Sequence, residues 1–207
     1  EELYNLEDYL SVTFLIPCWN EQDTVQKTIE SVLALDYPKH KFHIIAIDDG
    51  SKDATWQILQ EYKDHPQVMI LTKENGGKHS ALNYGLTFVT TDLVASFDAD
   101  TEIEKNALMK AIPLFMKDEK LMALGGTVLI SEPKTFVQKA QQIEYEIFSF
   151  TKKMLGLAQG VFVVPGAFSV FRKEVFDIVG GYRNAHNLED IELTMRMHTH
   201  GLKIDHA

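Results

Sequence analysis

FHIIAIDDGSKDATWQILQEY, residues 42–62, changes its periodicity partway along. FHIIAID is a continuous β-rich run, and after Asp53 the residues Thr55, Ile58, Leu59 and Tyr62 recur at the spacing of one helix face. Asp53 reads as the cap of that helix. A strand that runs through a short acidic turn into a helix is the repeating unit of an α/β sheet, and it recurs here. VTFLIP (12–17) precedes it, VMILT (68–72) and LVASFD (93–98) follow, and helix-compatible sequence separates them, so the first half reads β-α-β-α-β-α-β. In the first connection Val25, Ile29, Val32 and Leu33 share a face after Asp23, which with Gln26 three residues on reads as an N-cap. The strand runs are consecutively apolar rather than alternating. That pattern implies a mostly parallel, Rossmann-like sheet covered on both faces by flanking helices.

Ligands of such sheets bind at the carboxyl ends of the strands. The residues after three of the runs are Pro17 to Glu21, Asp48 to Asp53 and Asp98 to Thr101, and each stretch holds carboxylates. Asp98 and Asp100 stand two apart, so a chain leaving a strand can aim both into one crevice. A hard divalent cation such as Mg²⁺ or Mn²⁺ is often held by one or two carboxylates, with phosphates and water as its other ligands. An isolated D-x-D is also a common turn feature. Asp48 and Asp49 bring a second acidic pair to the same sheet edge, and Asp49, not needed as a cap, suits a hydrogen bond to a nucleotide base or ribose. In NGGKHSALNYG, Gly76 and Gly77 precede Lys78 at a helix start, where backbone N–H groups and a cation favour a phosphate; a plain glycine turn is the alternative. The pattern is not the P-loop G-x-x-x-x-G-K-[ST]. Glu189 and Asp190 open the last helix; neighbouring positions do not share a face, so one serves the helix dipole while the other is free to act as a base. Glu192 and Arg196 form an i, i+4 ion pair, and His198 and His200 point apart on the helix and read as structural.

With 207 residues, 45% of them hydrophobic, the chain can bury a core of its own and reads as one domain. A formal net charge of −10 excludes the basic footprint of nonspecific nucleic-acid binding. The one cysteine, Cys18, allows no internal disulfide, which suits a reducing compartment. The N-terminal EELYNLEDYL lacks the basic flank and apolar run of a signal peptide, and the longest apolar stretch, VFVVPGAFSVF, is interrupted by Pro165 and Gly166. LKIDHA at the end resembles a strand without its continuation, as in a segment of a longer protein. The second half adds ALGGTVLI, a strand-to-helix stretch GAFSVFRKEVF, and a last helix closed by Gly201. From Lys134 to Leu157, Phe136, Ile143, Ile147, Phe150 and Met154 form an amphipathic stripe. It fits a helix packed on the sheet, and equally one at a membrane surface or an acceptor groove.

In chain order, PCWNE, IDDGSKD, NGGK, DAD, GAFSVFRKEVF and LEDIEL resemble the motif series of family 2 glycosyltransferases with the GT-A fold. The resemblance spans nearly the whole chain and is most similar to processive membrane polysaccharide synthases, bacterial poly-β-1,6-N-acetylglucosamine synthases in particular. It implies a metal-dependent inverting transferase that moves a sugar, N-acetylglucosamine, from a UDP-sugar donor to a growing β-linked glycan acceptor. By the same resemblance Pro17, Asn20 and Glu21 line the nucleotide pocket and Asp49 contacts the uridine. Asp98 stands near ribose and diphosphate, Asp100 with Asp98 forms the Mg²⁺ or Mn²⁺ site, and Lys78 is the basic residue near the donor. Asp190, beside Glu189, is the catalytic base. Residues 1–207 then form a single GT-A domain, with 1–100 as its nucleotide-sugar-binding half and 101–207 as its acceptor and base half. The domain would lie at the cytoplasmic face of the cell membrane, with membrane association through parts of the parent protein outside this chain. Two departures are visible: Leu188 stands where many relatives have threonine, and the Q-x-x-R-W segment of processive relatives is not among these residues. A nonprocessive transferase acting on a lipid or surface glycan, and a nucleotide-sugar-binding domain without turnover, are the other readings.

Overall fold

The computed structural model describes residues 9–130, 133, 135–157, 163–185 and 188–206. Lys134 of the amphipathic segment, residues 1–8 of the N-terminal stretch, Val161 and Phe162 of the apolar stretch, and the final Ala207 lie outside them. Among the described residues seven strands form one sheet: β1 (Val12–Cys18), β2 (Phe42–Asp48), β3 (Val68–Thr72), β4 (Leu93–Phe97), β5 (Leu121–Gly125), β6 (Phe168–Arg172) and β7 (Lys203–His206). The helices are α1 (Val25–Leu33), α2 (Thr55–Gln60), α3 (Lys78–Leu86), α4 (Ala107–Lys117), α5 (Phe136–Leu157), α6 (Glu174–Val179) and α7 (Glu189–Thr199).

Across the sheet the order is β3-β2-β1-β4-β6-β5-β7. The first four strands of that order pair in parallel, β6 runs antiparallel between β4 and β5, and β7 is parallel to β5. The chain winds outward from β1 to β3 and then returns to the other side of β1. The order therefore reverses between β1 and β4, and a crevice opens there at the carboxyl ends of the strands.

Both faces of the central strands are buried, as their continuous apolar runs require. Phe14 and Ile16 of β1 pack with Val25, Ile29, Leu108 and Phe115 on one face. Leu15, between them, packs with Leu82, Val94, Phe171 and Leu193 on the other. The two-residue alternation of a strand makes this division.

Two expectations fail, each for a tertiary reason, and a choice the sequence leaves open is decided. VMILT reads as a strand buried on both faces, yet β3 is the edge strand and Met69 is 45% exposed. Asp23 does not cap α1: Thr24 holds the cap position without a side-chain cap bond, and its hydroxyl donates to Glu21 Oε2 at 2.7 Å. The amphipathic stripe of α5 does not pack on the sheet, since Phe136, Ile143, Ile147, Phe150 and Met154 are each at least half exposed. Asp53 does steady the start of α2, accepting the Thr55 N–H at 3.0 Å from one residue before the cap position. Among the described residues no helix is long and apolar enough to cross a membrane.

The antiparallel direction of β6 positions the site. Its beginning, not its end, meets the end of β4: Phe97 pairs with Phe168, and the Asp98 N–H donates to the Ala167 carbonyl at 3.1 Å. Gly125 at the end of β5 pairs with His206 at the end of β7. Residues from both halves thus meet along one edge.

Candidate active site

Pro17, Cys18, Trp19, Glu21, Asp49, Asn75, Gly77, Lys78, Asp98, Ala99 and Asp100 line a cavity of about 380 Å³ at the crevice between β1 and β4. Its floor is set by Asp49, which is 2% exposed. The Asp49 carboxylate accepts from Lys73 Nζ at 2.7 Å, from the Gly77 N–H at 2.7 Å and from the Gly76 N–H at 3.1 Å. The sequence leaves those glycine N–H groups between a phosphate cradle and a plain turn; here they bind a side chain, which ties the loop before α3 to the end of β2. Gly77, at φ 84°, takes a backbone conformation that other residues rarely adopt. The Asp48 carboxylate accepts from the Ser51 N–H and the Thr72 hydroxyl at 3.2 Å each.

Asn20, expected in this pocket, is not on its wall. Its Oδ1 accepts the Lys52 N–H at 2.8 Å and its N–H donates to Ser51 Oγ at 3.0 Å, so it joins the loop after β1 to the loop after β2. Glu21 is on the wall, with its backbone N–H held by Thr55 Oγ1 at 2.7 Å.

In D-x-D the middle residue explains the spacing. Ala99 is 4% exposed and its carbonyl accepts from the Thr28 hydroxyl, so Ala99 turns into the core while the flanking carboxylates face outward. Asp98 forms an ion pair with Lys78. Burial raises the Asp98 pKa above the usual carboxylate value; the Lys78 ammonium opposes the rise, and the nearby Asp100 and Asp190 add to it. Asp100 is exposed, with the Thr101 hydroxyl on its Oδ1 at 3.3 Å. Among the described residues no three His, Cys, Asp or Glu side chains converge as metal ligands. One open carboxylate and one shared with a lysine fit a hard cation that arrives with a diphosphate and water, not a preformed cage.

Lys78 and Asp98 also wall a second cavity of about 350 Å³, completed by Leu82, Ser96, Gly166, Tyr182, Glu189 and Asp190. Glu189 and Asp190 are the first residues of α7. Glu189 is buried, whereas Asp190 is half-buried beside Gly166. A Cβ on Gly166 would stand 3.3 Å from Asp190 Oδ2 and 3.8 Å from Lys78 Nζ, so glycine leaves more room between the Asp190 carboxylate and the Lys78 ammonium. The Glu192–Arg196 pair forms at 2.7 Å, and Arg196 also donates to the Gly181 carbonyl at 2.7 Å, which fastens α7 to the loop after α6. That loop carries Tyr182, whose backbone exchanges bonds of 2.7 and 2.8 Å with the Asn83 amide of α3.

Trp19, Ser96, Gly166 and Tyr182 escape sequence reasoning. Trp19 lies inside PCWNE and Tyr182 follows the Gly180–Gly181 pair, so both had local signals. Ser96 is mid-strand, and Pro165–Gly166 reads as an interruption of an apolar run rather than a wall of the site.

The sequence profile of the family described as glycosyl transferase family 2 matches residues 13–180. The chain is 34% identical over 202 residues to the poly-beta-1,6-N-acetyl-D-glucosamine synthase of Staphylococcus aureus (strain MSSA476), covering 97% of this chain and 48% of the relative. It is 36% identical over 189 residues to that of Staphylococcus epidermidis, covering 90% and 45%. The chain thus spans about half the length of the curated relatives it matches. Among solved structures, the mannosyltransferase PcManGT of Pyrobaculum calidifontis in complex with GDP-Man and Mn²⁺ superposes with a TM-score of 0.77 at 19% identity, over 98% of this chain and 56% of that one. S. aureus TarS 1-349 in complex with UDP-GlcNAc superposes with a TM-score of 0.71 at 18% identity, over 96% and 56%.

Proposed function

Because the chain belongs to glycosyl transferase family 2 and has a GT-A fold, we propose that it transfers N-acetylglucosamine from UDP-N-acetylglucosamine to a hydroxyl of a growing β-linked polysaccharide, inverting the anomeric carbon. The observation that carries this reading is the shared wall of two cavities. Lys78 and Asp98 belong both to the pocket of Pro17, Glu21, Asp49 and Asp100 and to the pocket that ends on Asp190. A nucleotide diphosphate in the first pocket delivers its sugar to the second. The first pocket draws its walls from residues 1–100, and residues 101–207 supply the base, which supports the division into a donor half and an acceptor half.

In this reading Trp19 and Asp49 serve the uridine, and Lys78 holds the diphosphate. Asp98 keeps Lys78 in place and stands near the ribose and diphosphate. Asp190 removes the proton of the acceptor hydroxyl as that oxygen bonds to the anomeric carbon. The bond from that carbon to the β-phosphate oxygen breaks on the opposite side, its electron pair leaves with UDP, and an α-linked donor becomes a β product. Asp100, with Asp98 beside it, would hold a Mg²⁺ or Mn²⁺ ion, which when bound supplies neutralisation of the charge gathering on the departing diphosphate. Glu189 supports the start of α7 beside the base.

The names of the staphylococcal relatives support N-acetylglucosamine and a polysaccharide product. Placement at the cytoplasmic face of a membrane, through parts of the parent protein outside this chain, belongs to the same reading and is supported by the exposed apolar stripe of α5. The test is calorimetric titration of the chain with UDP-GlcNAc, UDP-Glc and GDP-Man, with and without Mn²⁺. UDP-GlcNAc should bind only with the cation, and Asp100→Ala should abolish this cation-dependent binding. Preference for GDP-Man would overturn the uridine assignment, and cation-independent binding would overturn the role of Asp100.

A further inference from the structure

Three buried side-chain polar atoms among the described residues have no hydrogen-bond partner: the Tyr182 hydroxyl and both ring nitrogens of His206. Such orphans are uncommon in folded proteins and call for an explanation. Tyr182 lines the Asp190 cavity, and Ser96, the hydroxyl that acts on it there, falls short of hydrogen-bond geometry. His206 lines a neighbouring groove of about 320 Å³ between α5 and the edge of the sheet, with Glu144, Tyr145, Phe148, Ser149, Lys152 and Gly166 among its walls. Gly166 belongs to both spaces, so the groove continues from Asp190.

We propose that this groove is the acceptor subsite, taking a neutral β-linked amino-sugar oligosaccharide through His206, Lys152 and the Phe148 ring. It rests on the transferase reading above, because it takes Asp190 as the base. A sugar presents hydroxyls at its rim and C–H groups on its faces, and the groove matches both. The neutral imidazole offers one donor and one acceptor nitrogen. Asp205 does not satisfy the ring, since its carboxylate accepts the His206 backbone N–H instead, at 2.8 Å, and the Gly125 backbone carbonyl, which acts on the ring, falls short of hydrogen-bond geometry. Phe148 is 56% exposed and Tyr145 38%, which leaves aromatic surface for a sugar beside the Phe148 ring that the Lys152 ammonium covers on one side. Lys152 Nζ lies 5.8 Å from the Phe148 ring centre. Burial lowers the Lys152 pKa, with Asp190 opposing, so the ammonium is partly stripped of water and available as a donor. Glu144 on the same wall disfavours an anionic occupant, which turns the choice from phosphate to a neutral polyhydroxylated ligand.

The test titrates the chain with a β-linked N-acetylglucosamine tetrasaccharide in the absence of donor, and in parallel with UDP and Mn²⁺. The tetrasaccharide should bind, and His206→Leu and Phe148→Ala should each weaken it about tenfold, the value of one hydrogen-bonded or stacked contact, while the UDP affinity stays that of the unmodified chain. Phe148 is on an exposed helix face, so its variant remains informative should His206→Leu fold poorly. Unchanged tetrasaccharide affinity in a folded variant pair overturns the proposal, as does failure of the tetrasaccharide to bind a chain that binds UDP. Tetrasaccharide binding with the expected losses but no UDP binding supports the groove and overturns the donor reading. Binding of neither overturns both.

Discussion

Asp98 and Asp190 face one cavity and are held differently. Asp98 is committed to Lys78, whereas no hydrogen bond within the protein, among the described residues, engages the Asp190 carboxylate. Asp190→Asn should therefore lower the transfer rate by about 10²- to 10⁴-fold, the usual contribution of a general base. Its UDP affinity and unfolding midpoint should stay near those of the unmodified chain, and a kinetic assay beside a thermal melt checks both. His206 carries a pH signature. Burial first, then the Lys152 ammonium, lowers its pKa to about 4, with Lys153 adding to the shift and Asp205 and the Gly125 backbone opposing it. A folded-state pKa below the unfolded value near 6.5 means that stability is full above about pH 6.5 and is lost as pH falls toward 4. The loss attributable to this group is at most about 3 kcal/mol. Denaturant titrations of the unmodified chain and His206→Leu at pH 7.5 and pH 4.5 should show the variant losing less on acidification.

At the scale of elements, α5 is the one whose sequence periodicity leaves its partner open. Its stripe has the spacing of a packed helix, but the sheet beneath is already covered, and the helix meets the protein through β7 and the groove rather than through its apolar face. Ile147→Gln and Phe150→Gln should each change unfolding free energy by less than about 0.5 kcal/mol, as surface substitutions do. A helix packed by that stripe would lose about 2–5 kcal/mol per truncated side chain. Urea unfolding of each variant separates the two. The same element explains why the groove escapes a linear reading: Ser149 and Lys152 meet it from the helix and His206 from the last strand.

At the scale of the molecule, the pocket proposed for the donor gathers the ends of β1, β2 and β4 with the loop before α3. A ligand that bridges them should stabilise the native state as a whole. UDP with Mn²⁺ at a hundred times its dissociation constant should add about 2.7 kcal/mol, read as a rise in the thermal midpoint, and UDP without the cation should add less. Much of this architecture is legible in the chain itself. Continuous apolar runs at 12–17, 42–48 and 93–98 specify strands buried on both faces, because only a sheet covered by helices conceals every side chain of such a run. Their acidic ends mark the binding edge, and Gly77 before Lys78 marks the loop that must approach it. The N–H groups of Gly76 and Gly77 were readable as donors, but not that Asp49 would take them, since that pairing depends on the distance between two loops. Nor could the chain show that β6 inserts antiparallel and brings Gly166 beside Asp190, that Asn20 bonds to the loop after β2, or that the His206 ring nitrogens lack a hydrogen-bond partner of good geometry. By itself the sequence determined the strands, the helices beside them and the carboxylates at their ends, because periodicity and turn chemistry act over a few residues. The tertiary structure alone decided which donors and acceptors meet and which remain open, because those contacts join residues as far apart as Asn83 and Tyr182 and depend on strand order and direction.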